Sequence, residues 1–163
     1  AAGAVILGKT ITCEFAGLTP NFTRNPHDPA RTPGGSSSGS AAAVADHMVH
    51  VAFGTQTGGS ILRPASFCGV VGLRPSVGLV PTHPSDWAWD TLQVTGPMAR
   101  TAEDVALMLQ AIAGASDGSP LGQPAGTRDF ISAARVNTTD RGFLPVFSTV
   151  IDVLSSAMTV PVN

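Results

Sequence analysis

The sequence predicts an α/β fold, a mixed, mainly parallel sheet flanked by helices. Short apolar runs bounded by glycine recur along the chain and suit strands buried in a mostly parallel sheet. Segments with helical periodicity lie between and after them. Glycine-serine loops feed directly into two of these elements, the arrangement in which such sheets hold ligands.

The elements follow in order. Ala4 to Leu7 is an apolar run between Gly3 and Gly8 and reads as a buried strand. The run is short, has no basic flank before it and ends at Gly8 rather than at a cleavage-like site, so it is not read as a leader. Thr19 to Gly39 lacks periodicity and holds the turn formers Asn25, Pro26, Pro29 and Pro33, which predicts an extended loop. Ser40 to Val49 is alanine-rich and preceded by serines that suit an N-cap, which predicts a helix. His50 to Gly54 is the next strand and ends at the loop TQTGGSI. Val70 to Leu73 and Val77 to Val80 read as two further short strands about the turn at Pro75. Thr101 to Ala113 is the clearest helix. Thr101 and Asp104 have the spacing of a capping box, and Val105, Met108, Leu109 and Ile112 form one apolar stripe that belongs to the core. Ser116 to Gly142 is polar and turn-rich, and Val146 to Ala157 reads as a last helix with Val150, Val153 and Leu154 inward.

Composition narrows the function. Only 12% of residues are charged, about half the usual share for a soluble protein, and the mean hydropathy is +0.22. With 18 Gly and 13 Pro, the chain reads as a stretch from the interior of a larger α/β protein. A net charge of -2 without a Lys/Arg run argues against nucleic acid or an anionic membrane as partner. No segment approaches the ~20 apolar residues of a membrane-spanning helix. Cys13 and Cys68 stand 55 positions apart, with no CxxC pair and no histidine at zinc-ligand spacing, so they read as half-buried reduced thiols, without a metal and in keeping with a cytoplasmic setting.

Two segments can carry chemistry. GGSSSGS, Gly34 to Ser40, lacks the Gly-Lys-Ser/Thr ending of a phosphate loop and is by itself compatible with a linker. TQTGGSI is more informative. Two glycines before a serine let several backbone N–H groups converge beside a hydroxyl, the construction of an oxyanion hole, although an ordinary turn has the same composition. A serine nucleophile needs a base. His27 lies in the long loop, His47 and His50 read as solvated side chains near a helix end, and His83 joins a triad with Ser60 and Asp86 or Asp90 only by folding back.

The runs GKTITCEFAG, NPHDPARTPGGSSSGSAAAVA, FGTQTGGSILRPASFCGVVGLRPSVG and TGPMARTAEDVALMLQAIAG resemble, in order, the core of the amidase signature family. The likeness covers Lys9 to Gly114 almost continuously. It implies that residues 1-163 are part of a single amidase-signature domain, with 1-114 matching the signature core and 115-163 poorly matched. It also implies a Ser-Ser-Lys triad, with Ser60 as the nucleophile and Ser36, 24 positions earlier, as the relay serine. The Gly35-Ser36 bond would be cis, the two hydroxyls would lie within hydrogen-bond reach, and the N–H groups of Thr57, Gly58, Gly59 and Ser60 would serve the oxyanion.

The reaction implied is hydrolysis of a carbon-nitrogen bond other than a peptide bond in a small-molecule amide, through an acyl-serine and with no cofactor or metal. Three departures accompany the likeness. The family's lysine lies upstream of the GKT-type segment, so Lys9 reads as a structural or surface residue. The arginine after the nucleophile falls at Arg63, whereas many relatives carry it one position earlier. About 45 residues separate Gly114 from Val160, where relatives carry a longer stretch. A scaffold that keeps the serines without their base, and so only binds, is the alternative reading.

Overall fold

The structure is a computed structural model and describes residues 2–81, 92–114, 122, 124 and 126–135. After a single 3-10 turn at Glu14–Ala16, the elements are α1 (Ser38–Ala45), β1 (Val51–Gln56), α2 (Leu62–Phe67), β2 (Val71–Gly72), β3 (Val94–Ala99), α3 (Ala102–Ile112) and α4 (Phe130–Ala134).

The described sheet has three strands in the order β1-β3-β2. Both pairings are antiparallel, with Val51 and Val71 each opposite Ala99. This departs from the mainly parallel sheet the sequence predicts. β1 and β2 do run in the same direction, joined through α2 as a strand-helix-strand unit would be, but β3 occupies the place between them and runs the other way. Glycine makes the close approach possible: a Cβ at Gly96 would collide with the Leu73 carbonyl, and one at Gly72 would stand 2.7 Å from the Ala65 Cβ.

α1 starts two residues before the predicted position and ends four before it. It is buried nearly all round, because serine, glycine and alanine let neighbours approach its backbone. A Cβ at Gly39 would stand 2.8 Å from the backbone of Ile11, whose carbonyl accepts from the Gly39 N–H at 3.0 Å. Arg100 donates to the carbonyls of Val44 (3.1 Å) and Val49 (3.0 Å), tying the end of the helix to the residues that follow it. His47 then turns the chain at φ 60.

The core has two parts. Ala41, Ile61, Cys68 and Met98 form one cluster between α1, α2 and the sheet. Leu79, Val80 and Leu109 form the second, which Phe130 of α4 partly covers. α3 follows the sequence expectation closely: Thr101 Oγ1 accepts from the Asp104 N–H at 3.0 Å, and Val105 and Leu109 are buried.

Other expectations are corrected. Ala4 to Leu7 forms no strand, and Val5, Ile6 and Leu7 are exposed, since the run meets no strand edge among the described residues. Val77 to Val80 is a turn rather than a strand, and its apolar residues serve the second core cluster instead. Within the turn-rich stretch after Ser116, Asp129 caps α4 by accepting from the Ser132 N–H at 2.9 Å. The helix expected at Val146 to Ala157 lies outside the described residues. No helix among the described residues is long and apolar enough to cross a membrane.

Candidate active site

The two glycine-serine segments meet along the outer edge of β1. That edge leaves the Thr55 N–H and carbonyl without a strand partner, and the Ser37 hydroxyl takes both. It accepts from the Thr55 N–H at 3.1 Å and donates to the Thr55 carbonyl at 3.3 Å. The Ser37 N–H donates to the Ser60 carbonyl at 3.1 Å. A Cβ at Gly54 would stand 3.1 Å from Ser37 Oγ and would also collide with Met98, so the strand must carry glycine where the loop docks.

Behind Ser36, the Gly35–Ser36 peptide is cis, as the resemblance implies. The Ser36 carbonyl accepts from the Cys13 N–H at 3.0 Å, and the Cys13 thiol fills the place a Gly35 side chain would take. Cys13 and Cys68 are free and fully buried, more deeply than the sequence suggests. Burial pushes the Cys68 thiol up to about 12.

On the other side, the loop from Thr57 to Ser60 is closed by Gln56. This buried side chain accepts from the Ile61 N–H at 2.8 Å and the Leu62 N–H at 3.0 Å, joining the end of β1 to the start of α2. The loop's own N–H groups are left available: among the described residues, those of Thr57, Gly58, Gly59 and Ser60 donate to no protein acceptor.

The result is a cleft of about 270 Å³ lined by Ser36, Thr57, Gly58, Gly59 and Ser60, together with Thr55, Arg63, Gln93 and the Ala16–Leu18 segment. All five site residues expected from the sequence therefore face one space. Ser36 is 2% exposed and Ser60 is half-buried. Their hydroxyls make no hydrogen bond to each other among the described residues, short of the contact the resemblance implies. Sequence reasoning missed Gln56, Ser37 and Cys13, which hold the loops in place. The only hint was that each sits beside a glycine-serine segment or in the GKTITC run.

The histidines and Lys9 lie elsewhere. His27 Nε2 is 2.9 Å from the Cys68 carbonyl. Lys9 is exposed, and neither it nor His27, His47 or His50 lines the cleft. His83, Asp86 and Asp90 lie outside the described residues. No cluster of three metal-ligating side chains occurs among the described residues.

A family model described as Amidase matches residues 1–140. The A subunit of the glutamyl-tRNA(Gln) amidotransferase of Salinibacter ruber is 45% identical over 135 residues, 79% of this chain and 26% of the relative. Its counterpart in Microcystis aeruginosa is 55% identical over 118 residues, 69% of this chain and 24% of the relative. Among solved structures, the peptide amidase of Stenotrophomonas maltophilia superposes with a TM-score of 0.73 at 42% identity, covering 80% of this chain and 30% of that one. A 6-aminohexanoate cyclic dimer hydrolase gives 0.75 at 37% identity, covering 82% and 29%. The chain thus spans about a quarter of the length of the curated relatives it matches.

Proposed function

This chain belongs to the amidase signature family, and on that premise we propose that it carries the serine pair and oxyanion loop of an enzyme that cleaves a carbon-nitrogen bond in an amide. The observation that carries the reading is the single cleft lined by Ser36, Ser60 and a loop with four N–H groups left without protein acceptors.

In this reading Ser60 attacks the amide carbonyl and its proton passes to Ser36. The Ser36 proton moves on to a neutral lysine. The carbonyl oxygen gains negative charge, which the N–H groups of Thr57, Gly58 and Gly59 stabilise. When the tetrahedral intermediate collapses, the carbon-nitrogen bond breaks, and the leaving amine takes back a proton through Ser36. Water then enters by the same relay and releases the acid from the Ser60 ester. No step calls on a metal or an organic cofactor.

The base is supplied by a lysine of the full-length polypeptide that precedes Gly8, as the family resemblance implies. Support comes from the cleft itself, which no Lys, His, Asp or Glu lines among the described residues. The names of the similar proteins speak of a peptide amidase, a cyclic dimer hydrolase and an amidotransferase, so the amide group is the shared element and the remainder of the substrate is set by other parts of the site.

The test is active-site labelling of the full-length polypeptide. A fluorophosphonate labels Ser60, and Ser60→Ala abolishes both labelling and amide hydrolysis. Ser36→Ala lowers kcat by ~100-fold or more with little change in KM, since the relay acts in the transition state. Lys9→Ala keeps full activity. Labelling that persists in Ser60→Ala, or activity lost in Lys9→Ala, overturns the assignment.

A further inference from the structure

Ser36 is braced by a residue that does not line the cleft. The Cys13 N–H donates to the Ser36 carbonyl at 3.0 Å, and the Cys13 thiol packs on Gly35 in the place a side chain there would take. Just upstream, the Ile11 carbonyl accepts from the Gly39 N–H at 3.0 Å and from the Ser38 hydroxyl at 3.4 Å, so residues 11–13 run along the back of the serine loop. The Cys13 carbonyl accepts from the Ala16 N–H at 3.0 Å, where the Ala16–Leu18 wall of the cleft begins. On the other side of Ser36, the Ser37 N–H is tied to the Ser60 carbonyl. Cys13 is 3% exposed and Ser36 2%. In packing this close, a change of even one methylene is felt by the neighbours.

We infer that Cys13 is a positioning residue for Ser36: the volume of its side chain sets where the Ser36 hydroxyl stands relative to Ser60, and thereby the rate at which the Ser60 proton is passed on. The inference rests on the reading of Ser36 as the relay and adds what holds the relay in register. The bonds to Ser36 and Ala16 come from the backbone, so any residue at position 13 other than proline would supply both. The contact with Gly35 alone depends on the side chain. A smaller group leaves Gly35 and Ser36 free to settle backward, and a branched one drives them toward the cleft. Either displacement changes the distance between the two hydroxyls while leaving the oxyanion loop, which Gln56 holds, in place.

The experiment follows fluorophosphonate labelling of Ser60 in the full-length polypeptide, with the maximal rate and the half-saturating concentration measured separately. Cys13→Ala and Cys13→Val each lower the maximal rate by ~10-fold or more, since a misplacement of ~1 Å costs on the order of 100-fold. The half-saturating concentration stays within about twofold, because the reagent's own contacts are kept. Cys13→Ser, closest in shape, stays within about threefold of the parental rate. In a Ser36→Ala background the same substitutions at position 13 slow labelling no further, because their effect passes through Ser36. Urea unfolding identifies the variants that are folded at the assay temperature, and Cys13→Ala, which only removes volume, decides the matter if Cys13→Val does not fold. A parental rate in folded Cys13→Ala overturns the inference. So does slowing that persists undiminished in the Ser36→Ala background, or a change confined to the half-saturating concentration, which would mean that the Ala16–Leu18 wall had moved instead. Ser36→Ala alone tests the relay separately: labelling at the parental rate there refutes the relay reading, and the inference with it, before any change at Cys13.

Discussion

Ser37, and not either of the two serines lining the cleft, is the residue that joins the glycine-serine segments: its N–H donates to the Ser60 carbonyl at 3.1 Å while its hydroxyl closes the edge of β1 at Thr55. The first loop is thereby fixed to the second through the backbone, leaving the side chains of Ser36 and Ser60 free to face the cleft.

Ser37→Ala removes the hydroxyl but keeps the N–H bond to Ser60. The Thr55 N–H and carbonyl then lose their partner, at a cost of ~1–3 kcal/mol. Denaturant unfolding of the full-length protein measures the loss. Ser37→Thr, which restores the hydroxyl, recovers part of it.

Gln56 is expected to matter as much for order in the loop as for stability. Gln56→Met keeps the volume but leaves the Ile61 and Leu62 N–H groups unpaired, for a destabilisation of ~2–4 kcal/mol. Fluorophosphonate labelling of Ser60 slows more than ~10-fold at a temperature where the variant is still folded, because misplacing reacting groups by ~1 Å costs rate on the order of 100-fold. Labelling at the parental rate would show that the loop holds its shape without the clamp.

The packing of Cys13 on Gly35 makes a reciprocal prediction. Gly35→Ala drives a methyl into the Cys13 sulfur, an overpacking cost of ~1–3 kcal/mol. Cys13→Gly in the same chain opens the space and restores part of the stability. A double-mutant cycle that shows simple additivity would contradict the contact.

Cys68 offers a test by pH. Burial raises its thiol to about 12 from the ordinary 9.0, so at pH 8 only about one molecule in ten thousand carries the thiolate. Iodoacetamide leaves Cys68 unmodified in the native protein at pH 8 and modifies it in urea, as peptide mass spectrometry would reveal. The sign for stability follows. The native state holds the proton more tightly than the unfolded state, so this contribution is complete below pH 9 and is lost as pH rises toward 12. The slope reaches ~1.4 kcal/mol per pH unit. Cys68→Ala flattens that part of the profile.

Much of the site is legible before the fold. Ser36, Thr57, Gly58, Gly59 and Ser60 are marked by two glycine-serine segments in one order, and all five line the cleft. The α3 helix is legible because its cap and its apolar stripe agree. What the sequence hides depends on distant partners. Gln56 looks like any polar strand residue until two N–H groups 5 and 6 positions later are placed against it. The direction of the sheet escapes the sequence for the same reason: apolar runs specify strands, but only the return of β3 between β1 and β2 sets both pairings antiparallel. Ala4 to Leu7 and Val77 to Val80 show the converse, apolar runs with nothing to pair with or a core cluster to fill.

The strand order also sets a schedule for the ribosome. β1 and β2 leave the exit tunnel well before Val94, yet the place between them is filled only by β3. Until that strand emerges, both earlier strands present open inner edges, the kind that recruit other nascent chains. Both serine loops are synthesised by then, but the strand that fills the sheet beside them is not. Vectorial synthesis therefore delivers the serine loops with their Ser37 and Gln56 clamps first, and the strand that closes the sheet beside them afterwards.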